Sequence, residues 1–345
     1  MAEREGFEPS IRFCRILTFQ ASAFDHSATA PHALEGACPR APRRAVQAVV
    51  ADAGGWHDRA MLSLLLAALL APPIQAAPAA DPAQPAPGDW RAIPADELLV
   101  VTLDGNRRVV IRLAPAFAPV HVANIRRLAR ARWWDGTGVY RVQDNYVAQW
   151  GDVTERKPLP AGVVANPPAE AERGGDAIVT RLARPDPYAA RAGHSADGWS
   201  VAGDGSRSWL PHCYGSVGVA RDLAPSTGSG AELYAVIGHA PRHLDRNIAV
   251  VGRVVAGIEH LSSLARGTGE LGFLQPPELP TPIVRAQLAS DMPEGGRPRF
   301  EYRSPGNARF AAYVADRENR RGPFFTVPAG GADLCNIPVP VRAAP

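Results

Sequence analysis

The sequence predicts a mainly β protein folded as a closed antiparallel barrel with two helices. Two observations point there: β-rich runs are short and bounded by turn signals, and up to Leu288 only two stretches beside them carry a helical pattern. A parallel sheet would instead need strands alternating with helices along the chain.

Taken in order, Leu98–Leu103 and Arg108–Leu113 are β-rich runs joined through Asp104-Gly105-Asn106, a strong hairpin signal. Pro119 can open a helix, because the N–H it lacks would be unpaired in a first turn anyway. Val122, Ile125, Leu128 and Ala129 then recur at helical spacing up to Arg132, and Asp135-Gly136-Thr137-Gly138 stops the pattern. Two short strands follow, Val139–Val142 and Tyr146–Gly151, split by Gln143-Asp144-Asn145. Residues 153–213 are rich in Pro, Gly, Ala and charge without a sustained period, and read as a long, loop-rich insertion. Strands resume at Tyr214–Ala220, Ala231–Ile237 and Ile248–Val254; a short helix at about Ile258–Ala265 precedes a closing strand, Pro282–Leu288. Residues 289–345 form a C-terminal extension with one helical candidate, Ala308–Arg320, whose stripe is Phe310, Tyr313 and Val314. The extension is either a small appendage packed on the barrel or a mobile tail.

The 345 residues are 46% hydrophobic and 21% charged, ordinary values for a globular chain able to build a core. The net charge is only +3, Lys157 is the sole lysine, and the arginines are spread along the chain. That distribution argues against a nucleic-acid partner, which needs basic residues gathered on one face.

Residues 61–77, MLSLLLAALLAPPIQAA, read as a signal peptide. The apolar run Leu62–Ala71 has the length of an h-region and is too short to cross a bilayer as a mature helix. Pro72 and Pro73 end it, and Gln75-Ala76-Ala77 offers small residues for cleavage. A signal peptide is read at an N-terminus, so translation is expected to begin at or just before Met61, with residues 1–60 a spurious upstream translation. Residues 78–92 read as a Pro/Ala-rich linker, leaving a globular domain over 93–288. The expected location is the periplasm, with no stable membrane insertion once the signal is removed. Of four cysteines, Cys213 and Cys335 lie in the mature chain; an oxidising compartment permits their pairing, and the sequence leaves it open.

The chemistry concentrates in Val139–Asp152, VYRVQDNYVAQWGD. Its Arg141, Tyr146, Val147, Gln149, Gly151 and Asp152 resemble the signature of the cyclophilin-type peptidyl-prolyl isomerases: Arg, a loop, an aromatic, an apolar residue, Gln and Gly-Asp. Gly218-Val219-Ala220, Gly230-Ala231-Glu232-Leu233-Tyr234, His243-Leu244-Asp245 and Val250-Val251-Gly252-Arg253-Val254 resemble later segments of that family, in the family's order. The resemblance spans Leu98 to Leu288 and implies an eight-stranded antiparallel barrel flanked by two helices.

It also implies a site. Arg141 and Gln149 would be the catalytic pair, and Tyr146, Val147, Ala220, Tyr234, His243, Leu244 and Ile248 would line an apolar slot for the proline ring. The residue types suit the reaction, because rotation about a peptide bond requires no bond to a side chain. Twisting breaks amide resonance and returns lone-pair density to the proline nitrogen. A fixed, permanently charged donor can stabilise that state more than the planar one. No cofactor or metal is called for.

Three positions depart from the family pattern. Glu232 stands where Gln is usual and adds a charge. His243 replaces a common Trp, which removes an aromatic wall and is expected to weaken cyclosporin-like ligands, and Ile248 replaces a common His. Other motifs fail. Pro241 breaks the His239–His243 spacing needed for a helical metal face. Gly193-His194-Ser195-Ala196-Asp197 lacks the last Gly of a nucleophile elbow and follows no evident strand, and Gly228-Ser229-Gly230 lacks the third Gly of a dinucleotide loop.

The sequence therefore predicts an isomerase acting on X-Pro bonds of proline-containing polypeptides during the folding of exported proteins. The alternative is a proline-binding chaperone or scaffold module of the same fold with weak catalysis. Oligomeric state and clients are not legible.

Overall fold

A computed structural model describes residues 83–345 except Glu155. The expected signal peptide, the upstream segment and the first residues of the linker lie outside the described residues. In chain order the strands are β1 (Trp90–Ala92), β2 (Leu98–Leu103), β3 (Arg107–Leu113), β4 (Gly138–Val142), β5 (Val147–Gly151), β6 (Arg173–Gly174), β7 (Ile178–Arg181), β8 (Arg191–Ser195), β9 (Ser200–Gly203), β10 (Arg207–Trp209), β11 (Ser216–Val219), β12 (Leu233–Val236), β13 (Val250–Ala256), β14 (Thr281–Leu288), β15 (Phe300–Arg303) and β16 (Val341–Ala343). The helices are α1 (Pro119–Arg130), α2 (Glu259–Ser262) and α3 (Ala308–Glu318).

Eight strands close into an antiparallel barrel in the order β11-β12-β5-β4-β14-β2-β3-β13, with β13 pairing back onto β11. The hairpin β2–β3 turns through Gly105 and Asn106, both at positive φ, a conformation that Gly and Asn adopt at least cost. Along β2 the side chains alternate. Leu99, Val101 and Leu103 enter the main core with Val122, Ile125 and Leu128 of α1, while Leu98 and Val100 enter a second core with Ile93, Ala289 and Met292. A strand buried on both faces reads as a near-continuous apolar run, which is what Leu98–Leu103 is.

Helix α1 starts at Pro119 as the sequence predicts. Its first N–H groups find their acceptor in the insertion, where the Glu170 carboxylate takes the backbone N–H of Val120 at 2.9 Å and of His121 at 3.0 Å. It ends two residues before the expected Arg132, which itself takes positive φ. Helix α2 is a single turn, shorter than the predicted segment, with Ser263 as its C-cap.

The insertion is loop-rich, yet it also holds a five-stranded antiparallel sheet in the order β6-β10-β9-β8-β7. These strands are two to five residues long, too short for an alternating pattern to emerge from the sequence. The C-terminal extension packs rather than trails. β15 and β16 form a three-stranded sheet with β1, and Phe310 and Val314 of α3 share a core with Leu182, Ala192 and Trp209 of the insertion. Leu334, Ile337 and Val339 complete that core, and burying side chains of this size is worth about 1.5–3 kcal/mol each. Cys213 and Cys335 are joined by a disulfide, tying the approach to β11 to the extension. Arg112 of β3 is buried between the rings of Trp199 (insertion) and Tyr302 (extension), at 4.5 and 4.4 Å from their centroids.

Candidate active site

Three adjacent barrel strands bring the predicted residues together. Arg141 of β4 faces Gln149 of β5, and Gln149 faces Tyr234 of β12, so the three side chains are cross-strand neighbours on one face of the sheet. The β4–β5 register shifts between Val139 and Arg141, leaving Tyr140 as an extra residue. A bulge of this kind re-aims side chains, and here it turns Tyr140 and Arg141, neighbours in sequence, toward the same glutamine. Gln149 Nε2 donates to the Tyr140 hydroxyl at 2.6 Å, and its Oε1 accepts from Arg141 Nη1 at 3.0 Å. The Tyr140 hydroxyl donates onward to Glu232 at 2.7 Å, and the other Glu232 oxygen accepts from Asp152 N at 2.7 Å.

The Arg141 guanidinium is held on all three nitrogens. Nε donates to the Leu271 carbonyl at 2.9 Å and Nη2 to Gln143 Oε1 at 2.6 Å, in addition to the bond to Gln149. Of five guanidinium N–H groups, three are engaged, and two have no hydrogen-bond partner among the described residues. Phe273 pairs with Arg141 across an isolated bridge and stacks over the guanidinium, its centroid 5.2 Å away, with the Tyr146 ring at 5.8 Å. Arg141 is 6% exposed, and burial pushes its pKa down from the usual arginine value.

Beside the guanidinium lies an apolar cluster. Val147, Tyr234 and Val236 form its floor, and Tyr146, Ala220, Leu244 and Ile248 pack against them. The His243 ring, at the position where Trp is common in the family, lies parallel to Tyr146 with centroids 6.2 Å apart at 4°. Burial pushes the His243 pKa down and those of Tyr146 and, more strongly, Tyr234 up. The nine residues predicted for the site thus gather within one region, a guanidinium backed through Tyr140 by Glu232 on one side and an apolar cluster on the other.

A family model described as "Cyclophilin type peptidyl-prolyl cis-trans isomerase/CLD" matches residues 98–288. The chain belongs to this family. Among curated relatives, a protein of Brucella suis biovar 1 named "Probable peptidyl-prolyl cis-trans isomerase" is 26% identical over 202 residues, 58% of this chain and 86% of its own length. A Brucella abortus protein of the same name is 25% identical over the same span. The crystal structure of cyclophilin AquaCyp293 from Hirschia baltica superposes with a TM-score of 0.57 at 24% identity, covering 74% of this chain and 94% of that one. It shares the fold.

This cyclophilin carries groups at the site that the motif did not announce. Tyr140 and Glu232 anchor Gln149, Leu271 and Phe273 cap Arg141, and His212 meets the Tyr234 hydroxyl at 2.9 Å. Glu232 was legible as a departure from the family pattern, and its neighbour Gly151 is the matching signal. A β-carbon on Gly151 would overlap the Glu232 carboxylate, so the glycine makes room for the acid. Gly218 does the same for the Tyr234 ring, which lies across its strand. His212 sits in the insertion's last residues, where no motif applies. Gly193–Ser195 of the Gly193–Asp197 segment are the end of strand β8, and Ser195 Oγ donates to Asp197 at 2.6 Å and accepts from Trp199 N at 3.1 Å within a turn.

Proposed function

We propose that this cyclophilin catalyses cis–trans rotation about X-Pro bonds of exported polypeptides in the periplasm, with Arg141 as the donor that stabilises the twisted bond. The observation carrying the reading is the cross-strand set Arg141–Gln149–Tyr234 beside the apolar cluster. The proline ring would enter the hollow between Tyr146, Val147, Tyr234, Leu244 and Ile248, with Ala220 and His243 at its edges. The two unengaged guanidinium N–H groups would then donate toward the substrate: to the lone pair that the proline nitrogen regains on twisting, and to the adjoining carbonyl. Because Leu271, Gln143 and Gln149 already hold the guanidinium, it needs little reorganisation as the bond rotates. Nothing is transferred, so the reaction asks for no cofactor.

Export is supported by the signal-peptide pattern at residues 61–77 and by the Cys213–Cys335 bond, which suits an oxidising compartment. A protease-coupled assay on a short Xaa-Pro peptide tests the enzyme reading. Arg141→Ala should lower catalysed turnover about 10²–10³-fold, the range for removing one preorganised donor. Wild-type turnover no greater than that of Arg141→Ala would favour the non-catalytic proline-binding module instead.

A further inference from the structure

We infer that His212 is a positioning residue for the proline slot, and that through it the C-terminal extension sets how Tyr234 sits. The inference rests on the reading of Tyr234 as a slot residue. It starts from a hydroxyl in an apolar place. Tyr234 is 5% exposed, its ring fills a slot wall, and its hydroxyl needs a partner. That partner is His212, fully buried, with Nε2 at 2.9 Å.

The histidine is itself held. Its Nδ1 lies 3.1 Å from Asp245 Oδ1, and its backbone N–H donates to the same oxygen at 2.9 Å. A carboxylate only accepts, so Nδ1 carries a proton, and in the neutral ring that leaves Nε2 to accept from the Tyr234 hydroxyl. Burial alone would raise the Asp245 pKa, but the hydrogen bond from His212 and the Arg242 guanidinium outweigh it and hold the group ionised below the usual carboxylate range. Arg242 Nε donates to Asp245 Oδ2 at 2.6 Å. Arg242 and Asp245 bracket His243 and Leu244, so the same pair also fixes two slot residues.

From Arg242 the chain of bonds leaves the barrel. Its Nη1 donates to Asp186 Oδ2 at 3.0 Å, and that oxygen accepts from Leu334 N at 3.1 Å. Asp186 belongs to the insertion and Leu334 to the extension. The next residue, Cys335, is bonded to Cys213, which follows His212. Two routes therefore join the slot to the extension, one polar through Asp245, Arg242 and Asp186, the other covalent through the disulfide. They meet at His212. A small cavity of about 170 Å³ borders both cysteines.

A coupling experiment decides this. Isomerase kcat and KM, and calorimetric affinity for an Ala-Pro-containing peptide, are measured for wild type, His212→Phe, Tyr234→Phe and the double variant. His212→Phe should raise KM and the peptide Kd three- to tenfold with kcat within twofold. In the Tyr234→Phe background, where no hydroxyl remains to position, the same exchange should change them less than twofold. Effects of equal size in both backgrounds, or none in the wild type, would overturn the inference. His212→Gln, which retains a donor and an acceptor, should stay near wild type. Cys213→Ser/Cys335→Ser supplies the covalent arm, and the whole cycle if His212→Phe does not fold; its KM rise should likewise vanish with Tyr234→Phe. An unchanged KM in the folded disulfide-free protein overturns the role given to the extension. Absence of wild-type turnover would refute the catalytic reading separately, while peptide affinity still reports on His212.

Discussion

Arg141→Lys separates the charge at the site from its geometry. Arginine spans three acceptors on separate segments: the Leu271 carbonyl at 2.9 Å, Gln149 at 3.0 Å and Gln143 at 2.6 Å. A lysine ammonium carries the same charge on one nitrogen at the end of a flexible stem, and cannot reproduce the planar fork. At least one bond between the cation and a neutral acceptor is lost, worth about 1.5–3 kcal/mol. If that loss falls on the orientation of the donor in the twisted state, kcat/KM drops about 10–100-fold at 1.36 kcal/mol per factor of ten. Arg141→Ala should lie lower still, within the 10²–10³ range for complete donor removal. Initial rates of cis-to-trans conversion, corrected for the uncatalysed rate and checked for proportionality to enzyme concentration, give the ratio. Thermal unfolding of both variants controls for a folding defect. Lysine retaining more than about half of wild-type kcat/KM would refute the reasoning, since charge near the slot would then suffice without the fork.

Three further outcomes follow from the same structure. Gly151→Ala should destabilise the protein by about 2–3 kcal/mol in denaturant unfolding, because the new methyl displaces the Glu232 carboxylate, strips Tyr140 and Asp152 of their partner, and strains a residue at φ +151°. Unchanged stability would show that the Glu232 anchor is dispensable. His194, buried against Phe310 with Nε2 2.7 Å from the Ile337 carbonyl, has its pKa pushed down by burial from 6.5 to about 4. The unfolded chain then binds the proton more readily, so stability falls as pH drops from 6.5 toward 4 and levels off below, a loss of about 3 kcal/mol that His194→Gln should largely abolish. N-terminal sequencing of the native protein should find a mature start near Ala77, and a start at Met1 would remove the export reading.

Much of the fold could be read from local pattern. The Asp104-Gly105-Asn106 turn, the helix opening at Pro119 and the short strands around them depend on neighbours a few residues away, and each element stands where the sequence placed it, give or take two or three residues at its ends. Arg141 and Gln149 were singled out by the resemblance of their segment to the family signature, and the structure sets them opposite each other on one hairpin. The sheet in the insertion escaped notice because its strands are too short to show a period and owe their burial to α3 and the far end of the chain on one side and to Ala114, Phe117 and Val250 on the other.

By itself, then, the sequence determined the family and the barrel, through short-range pattern and a motif held in order, and the same resemblance nominated Arg141 and the slot residues that the fold brings into one region. Only the tertiary structure decided what steadies them. The Tyr140 bulge, the Glu232 anchor in the space left by Gly151, the Leu271 carbonyl on Arg141 and the Asp245–His212 hold on Tyr234 each join residues from nine to more than a hundred positions apart. Hydrogen bonds of that reach depend on where strands come to lie after the chain has closed, and no periodicity along the sequence records it.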